Sequence, residues 1–191
     1  MPRLALLTDA RNDAGLERAI RRLPRGSVLV FRHYHLDRAA RAARLEQVAR
    51  LARVRGVTVV LAGPGYGPAR HLSARRGLRL ATAHDMRELA AAARARASAV
   101  LLSPVFPTRS HPGGKVLGPV RFNCLARLSP IPVLALGGMD FSRLRQVRAH
   151  GFAAIDGLVQ GFRHFGRLAG NPWILDACPP LAHDAPAFLS S

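Results

Sequence analysis

The sequence predicts an α/β protein, a single-domain (β/α)8 TIM barrel. Three observations carry that expectation. Short apolar runs alternate with helical segments along the chain, the pattern of parallel strands joined by right-handed crossovers. Eight runs are counted if the weakest, Ala69–Leu72, is included, and eight units close a barrel. No G-x-G-x-x-G follows the first run. The alternative, an open doubly wound sheet, therefore lacks its usual dinucleotide fingerprint and stands only if the weak run is not a strand.

Taken in order, Leu4–Thr8 is a short apolar run closed by Asp9, and reads as the first strand. Asn12 and Asp13 are the residue types that cap a helix, here expected to run to Arg22 before Pro24 and Gly26. Ser27–Phe31 is the second strand and delivers Arg32, His33, Tyr34 and His35 at its end. Asp37 starts a long helix in which Leu45, Val48, Leu51 and Ala52 recur at helical spacing, and Gly56 stops it. Val57–Leu61 is the third strand, followed by a Gly/Pro-rich loop over Ala62–Pro68.

Leu78–Ala83 follows the weak fourth run and ends at His84; Asp85 caps a helix of alanines and arginines to Ala97. Ala99–Phe106 is the sixth strand and its exit. A helix is expected over Asn123–Leu128, a strand over Ile131–Leu136 closed by Gly137-Gly138, and a helix capped by Ser142 through His150. Ala153–Leu158 is the last strand, with Gly157 at its end. The barrel is expected over residues 1–170, with a proline-rich extension over 171–191.

Composition narrows the function classes. The chain of 191 residues is 49% hydrophobic, enough for one sizeable core. No apolar run approaches the roughly 20 residues of a spanning helix. Met1-Pro2-Arg3-Leu4 has none of the marks of a signal peptide. A cytoplasmic protein without a membrane partner is expected. Two cysteines, Cys124 and Cys178, are too few for a disulfide framework or a zinc site.

The formal net charge is +18, and Lys115 is the only lysine. The arginines are spread along the chain, aromatics are few, and no known nucleic-acid-binding pattern is present. Nucleic acid is therefore not expected as the main partner. A positive surface also steers small phosphorylated ligands.

The stretch Ala99–Gly118, AVLLSPVFPTRSHPGGKVLG, carries the most chemistry. A buried strand opens into a loop of hydroxyls, a histidine, a lysine and glycines, which is how a parallel-sheet protein builds a ligand mouth. In a barrel the mouth lies at the C-terminal strand ends, here Asp9, Arg32, His33, His84, Ser103, Thr108, Gly137, Gly138 and Gly157. Glycines after the last two strands suit a phosphate site, because bare backbone amides approach phosphate oxygens closely. They also suit an ordinary tight strand-to-helix turn.

Four segments carry a family likeness. Ser103-Pro-Val-Phe-Pro-Thr108, with Pro112-Gly113 and Gly118, resembles the G-P-V-F-P-T…P-G…L-G segment of thiamine phosphate synthases and their TenI relatives. Ile131-Pro-Val-Leu-Ala-Leu-Gly-Gly-Met139 is similar to that family's I-P-V-x-A-I-G-G-[IM]. Thr82-Ala-His84 falls where the family has S-x-H, and Arg70-His71-Leu72 where it has G-x-H-L.

The resemblance implies a (β/α)8 barrel, usually oligomeric. It also implies an enzyme that joins hydroxymethylpyrimidine diphosphate to a thiazole phosphate with magnesium, releasing diphosphate. The chemistry implied is dissociative, so cations must hold the leaving diphosphate and backbone amides the thiazole phosphate.

Carried over by position, Arg32 keeps the arginine of the family's Q-x-R-x-K, whose glutamine and lysine are absent. The family's Asn-Asp pair after the third strand falls on Ala62-Gly63, and the aspartate after H-L is replaced within Ser73–Arg76. The T-x-T-K diphosphate loop becomes Thr108-Arg109-Ser110-His111, with Lys115 nearby.

The expected catalytic set is Arg32, His84 and His111. The expected phosphate-binding set is Thr82, Thr108, Ser110, Lys115, Gly137, Gly138 and Gly157. No metal ligands are named, because magnesium wants carboxylate oxygens that this sequence has lost. Mg2+ is expected only if the chain is a synthase. The partner expected is a small phosphorylated thiazole or pyrimidine, with a homo-oligomer in keeping with the family. Two further readings stand beside the synthase: a TenI-type thiazole tautomerase, with His33 or His84 as proton shuttle, and a non-catalytic phosphate-binding or regulatory barrel.

Overall fold

A computed structural model describes residues 1–63, 72–74, 77–110 and 112–160. The expected segments Ala69–His71 and 171–191 lie outside the described residues, as does His111.

Eight strands are described: β1 Leu4–Leu7, β2 Val28–Phe31, β3 Thr58–Leu61, β4 Leu72–Ala74, β5 Arg79–Ala83, β6 Ala99–Leu102, β7 Val133–Ala135 and β8 Gly151–Ala154. Each pairs with its sequence neighbours, and β8 returns to β1. The fold is mixed α/β and TIM-like, with seven of these strands running parallel in one curled sheet.

β4 departs from the sequence expectation. It lies at Leu72–Ala74 rather than Ala69–Leu72, and runs antiparallel to both β3 and β5. Chain length explains the direction. Only residues 62–71 join β3 to β4, and they include Gly63, Pro64, Gly65, Gly67 and Pro68. A parallel return needs a crossover of a dozen residues or more, whereas an antiparallel one needs only a turn.

Along the strands, side chains alternate between two apolar clusters, as a period of two requires. Ala5, Leu7, Val28, Val30, Val60, Leu80, Ala99, Leu101, Leu134 and Ala153 fill the interior of the ring. Leu4, Leu6, Leu29, Phe31, Ala81, Val100, Leu102, Val133 and Phe152 face the surrounding helices.

Those helices are α1 Leu16–Arg22, α2 Arg38–Arg55, α3 Met86–Arg94, α4 Gly118–Leu128 and the short α5 Gly157–Gln160. Leu16, Ile20, Val48, Ala52, Leu89, Ala92, Phe122 and Ala126 meet the outer strand faces.

The caps explain the boundaries. Asp37 and Asp85 accept from Ala40 N–H and Glu88 N–H as expected, and Gly56 ends α2 in the left-handed region. The first helix differs: Asp9, not Asn12 or Asp13, is the cap, opening a 3-10 turn over Ala10–Gly15. Asn12 is instead buried, donating from Nδ2 to Leu7 O at 2.9 Å and to Ile155 O at 3.2 Å, so it ties the ends of β1 and β8 together.

Near the end of the described chain, Ser142 does not cap. Asp140 accepts from Ser142 Oγ–H (2.6 Å) and Arg143 N–H (2.9 Å), and only a 3-10 turn over Arg143–Gln146 forms. β8 begins earlier than expected because Gly151 lies flat against Arg3 O, just before β1, where a Cβ would collide. The expected end of that strand, Gly157-Leu158, opens α5 instead.

Candidate active site at the C-terminal ends of the strands

The interior alternation continues past the strand ends and aims the site. After Leu7 the next inward position is Asp9, and after Val30 it is Arg32. Leu80 is followed by Thr82 and His84, and Leu101 by Ser103. The contacts agree: Arg32 Nη2 lies 3.9 Å from Asp9 Oδ2, and Ser103 Oγ lies 3.4 Å from His84 Nδ1.

Sequence reasoning missed the residue that binds this mouth together. Arg11 Nε donates to Asp9 Oδ1 at 2.9 Å, Nη1 lies 3.5 Å from Asp156 Oδ2, and Nη2 donates to Ser110 Oγ at 2.9 Å. One guanidinium thus joins the segments that follow β1, β6 and β8. Burial pushes the Asp9 carboxyl up, but the Arg11 hydrogen bonds and the charges of Arg11 and Arg32 outweigh it and hold the pKa below its usual value. No spacing in the sequence announces a contact between residues so far apart.

His84 is exposed. Its Nδ1–H donates to Ser103 O at 2.7 Å. A carbonyl only accepts, so the proton sits on Nδ1 and Nε2 carries the lone pair in the neutral ring. His33, by contrast, is fully buried. It is clamped between Thr8 Oγ1 (Nδ1, 2.7 Å) and Asp13 Oδ1 (Nε2, 2.8 Å), and stacks on Phe31 at 4.6 Å. His33 follows outward-facing Phe31 out of the barrel plan and does not reach the mouth; of the two shuttle candidates, the structure exposes His84.

The glycines form a third group. At Gly137 (φ +93) a Cβ would meet Pro104 Cα at 2.7 Å, and at Gly138 (φ +61) Pro107 O at 2.5 Å. At Gly157 it would collide with Met139 O. Backbone therefore lies directly on backbone where the segments after β6, β7 and β8 meet. Arg143, a further residue missed in the sequence, fastens this corner. It donates from Nη1 to Gly138 O, and its guanidinium lies 5.0 Å from the Phe106 ring centroid.

Thr108, Arg109, Gly113 and Gly114 line an open groove beside this corner. Thr108 Oγ1 accepts from the Ser110 backbone N–H at 3.4 Å, whereas Ser110 Oγ is the acceptor of Arg11. Lys115 is exposed on the same loop. Thr82 is half-buried in β5.

Among the described residues the donor set does not suit a divalent cation. Ala62 and Gly63 stand where the family's metal-side pair would fall and offer no carboxylate. The two mouth carboxylates, Asp9 and Asp156, have Arg11 between them, a cation already supplied by the chain. Among the described residues no group of three or more His, Cys, Asp or Glu side chains converges on one point. No helix among them is long and apolar enough to cross a membrane.

Residues 69–158 match the sequence profile of a family described as thiamine monophosphate synthase. Among solved structures, a thiamine phosphate pyrophosphorylase from Pyrococcus furiosus is similar over 93% of this chain and 96% of its own, with a TM-score of 0.70 and 16% identity. At that identity the likeness speaks for the fold.

A FabK (M276A) mutant from Thermotoga maritima is a much looser match: TM-score 0.38, 18% identity, 83% of this chain and 44% of the other. So is a cube-shaped, highly porous cage designed from symmetric oligomeric domains: TM-score 0.43, 13% identity, 88% of this chain and 74% of the other. No curated protein matches the chain. The profile match spans residues 69–158, somewhat under half of the chain, and that segment lies in a fold of the same kind as the pyrophosphorylase's.

Proposed function

We propose that this chain is a synthase-like protein of thiamine biosynthesis, working at the C-terminal mouth of a (β/α)8 plan whose fourth unit is reduced to an antiparallel strand. The reaction is the joining of hydroxymethylpyrimidine diphosphate to a thiazole phosphate with release of diphosphate. The observation that carries this reading is the corner where Gly137, Gly138 and Gly157 lie against the backbone of Pro104–Pro107 and Met139. It presents main chain without side chains beside a groove lined by Thr108 and Arg109, the surface a small phosphate needs.

In this reading the thiazole phosphate sits on the glycine corner with Thr82, Thr108 and Ser110 as hydroxyl donors. Arg32 and Lys115 take the leaving diphosphate in place of the family's metal, with His111, which lies outside the described residues, as a further candidate from the sequence. No step is assigned to magnesium, because the donor set does not fit it. We place the protein in the cytoplasm as a homo-oligomer.

A second reading has an observation of its own. His84, with Nδ1 committed to Ser103 O, exposes an Nε2 of defined tautomer at the mouth. That is the arrangement of a proton shuttle, and it favours a thiazole tautomerase.

Calorimetric titration of thiazole phosphate into the full chain tests the shared element. Binding at micromolar Kd, weakened about tenfold or more by S110A with T108A, is expected. Absence of binding overturns both readings.

A further inference from the structure

The arginines look scattered in the sequence, but the fold gathers many of them. Each connection returning from a helix to the next strand reaches the N-terminal end of the sheet. Arg25 lies between α1 and β2, Arg55 ends α2 before β3, and Arg79 opens β5. Arg96 lies between α3 and β6, Arg127 in the last turn of α4, and Arg148 just before β8. All six are exposed, and none forms an ion pair among the described residues.

Neighbouring connections bring them close. A Cβ on Gly56 would lie 3.3 Å from Arg25 Cζ, beside Arg55. Ser98 Oγ accepts from Arg79 N–H at 3.0 Å, two residues from Arg96. Among the described residues, no Asp or Glu lies at this end. Every described Asp and Glu except Glu46 lies at a helix start or just after a strand, at the opposite end. Glu46 sits mid-helix and pairs with Arg50.

One of the six has a conformation the fold alone does not ask for. Arg96 has φ +53 and closes α3 as the left-handed residue of a Schellman turn: its N–H donates to Ala93 O, and Ala97 N–H to Ala92 O. Glycine is the favoured residue there, and Gly56 fills the corresponding place after α2. An arginine at that position costs stability, and what it adds is exposed positive charge.

From this ring we infer that the N-terminal end of the sheet is a second, independent binding surface, for the phosphate backbone of double-stranded nucleic acid. Guanidinium forks match phosphate oxygens in pairs. Among the described residues, the large apolar side chains exposed at this end, Met1, Val54 and Leu128, are aliphatic and offer no aromatic platform of the kind single strands stack on. Contacts of this kind read charge and spacing, not base sequence. The surface lies at the opposite end from the glycine corner, so it does not depend on the proposed reaction.

The test is fluorescence anisotropy of the full chain with a labelled DNA duplex of about 25 bp and arbitrary sequence, from about 50 to about 200 mM salt. Six phosphate contacts give a log–log slope near −5 and about a thousandfold loss of affinity across that range. R96G is expected to melt higher than the parent while reducing the slope by about one, and R25Q to reduce it similarly. R38Q and R87Q, exposed arginines at the other end, are expected to leave the slope unchanged. The inference is overturned by weak or salt-insensitive binding, by a slope that R96G and R25Q do not change, or by equal effects from R38Q and R87Q. It is also overturned if vesicles containing phosphatidylserine bind more tightly than the duplex, which would assign the surface to an anionic membrane.

Discussion

Arg11 donates to Ser110 Oγ across the barrel mouth at 2.9 Å, joining residues 99 positions apart. The same guanidinium holds Asp9 and neighbours Asp156. It is the strap by which the loop after β6 is kept beside the first and last strands. R11Q is expected to weaken thiazole phosphate about fivefold, the worth of one charge-assisted hydrogen bond at a partly exposed site. Amide exchange over residues 107–116 should quicken in the same variant. Unchanged exchange would mean that the loop holds itself.

His84 separates chemistry from architecture. A positioned proton carrier contributes about 10² to 10⁴ in rate. H84Q should lower turnover by that much while leaving thiazole phosphate affinity and Tm within error. A drop in Tm with turnover intact would assign His84 to holding Ser103.

The glycine corner gives a paired stability prediction. G138A places a Cβ 2.5 Å from Pro107 O on a left-handed residue and should cost about 3 kcal/mol or more. G26A shares the left-handed backbone (φ +81) with nothing within 4 Å of its Cβ, and should cost only about 1 kcal/mol. Equal losses measured by urea unfolding would show that the corner is not tightly apposed.

Asp13 and Glu17 set an acid limit. Burial pushes Asp13 up, but its hydrogen bonds to His33 and Arg44 prevail and its pKa is lowered; the Arg44 hydrogen bond lowers Glu17. A carboxylate depressed in the fold stabilises it above its unfolded pKa of about 4, and that stability is lost as pH falls through the lower folded value. Tm of R44Q should therefore lie below the parent's at neutral pH, and the gap should close as pH falls below about 4. A gap constant with pH would contradict the assignment.

His150 acts in a higher window. Burial, with the nearby positive charges of the N-terminus and Arg3, lowers its pKa, although its bond to Met1 O works the other way. The neutral ring is favoured in the fold, so stability is full above the unfolded value of about 6.5 and declines as pH falls through the folded one. H150Q should flatten the Tm profile below about pH 6.5. Persistence of the slope would place it on another group.

Much of the fold was legible because strand and helix signals are local. β1, β2, β5 and β6 lie within the apolar runs that mark them, so Asp9, Arg32, His84 and Ser103 follow strand ends as expected, and Asp37, Gly56 and Asp85 act as the caps they resemble. β4 was misplaced because its direction depends on how short the link from β3 is, not on its own residues. Asp9 displaced Asn12 as a cap because Asn12 found buried carbonyls across the barrel seam. Arg11 and Arg143 were invisible because their partners are distant or main-chain atoms. In the sequence Gly137, Gly138 and Gly157 suit a phosphate cup or a tight strand-to-helix turn alike; in the structure the packing of backbone on backbone requires them.

The most direct measurement is product formation: the purified chain with hydroxymethylpyrimidine diphosphate and thiazole phosphate, followed for thiamine phosphate with and without a chelator. Thiamine phosphate is expected in both conditions, with loss of turnover in R32Q, if Arg32 and Lys115 hold the diphosphate as proposed. No product in either condition, with thiazole phosphate still bound, would contradict the synthase reading and leave the His84 tautomerase in its place.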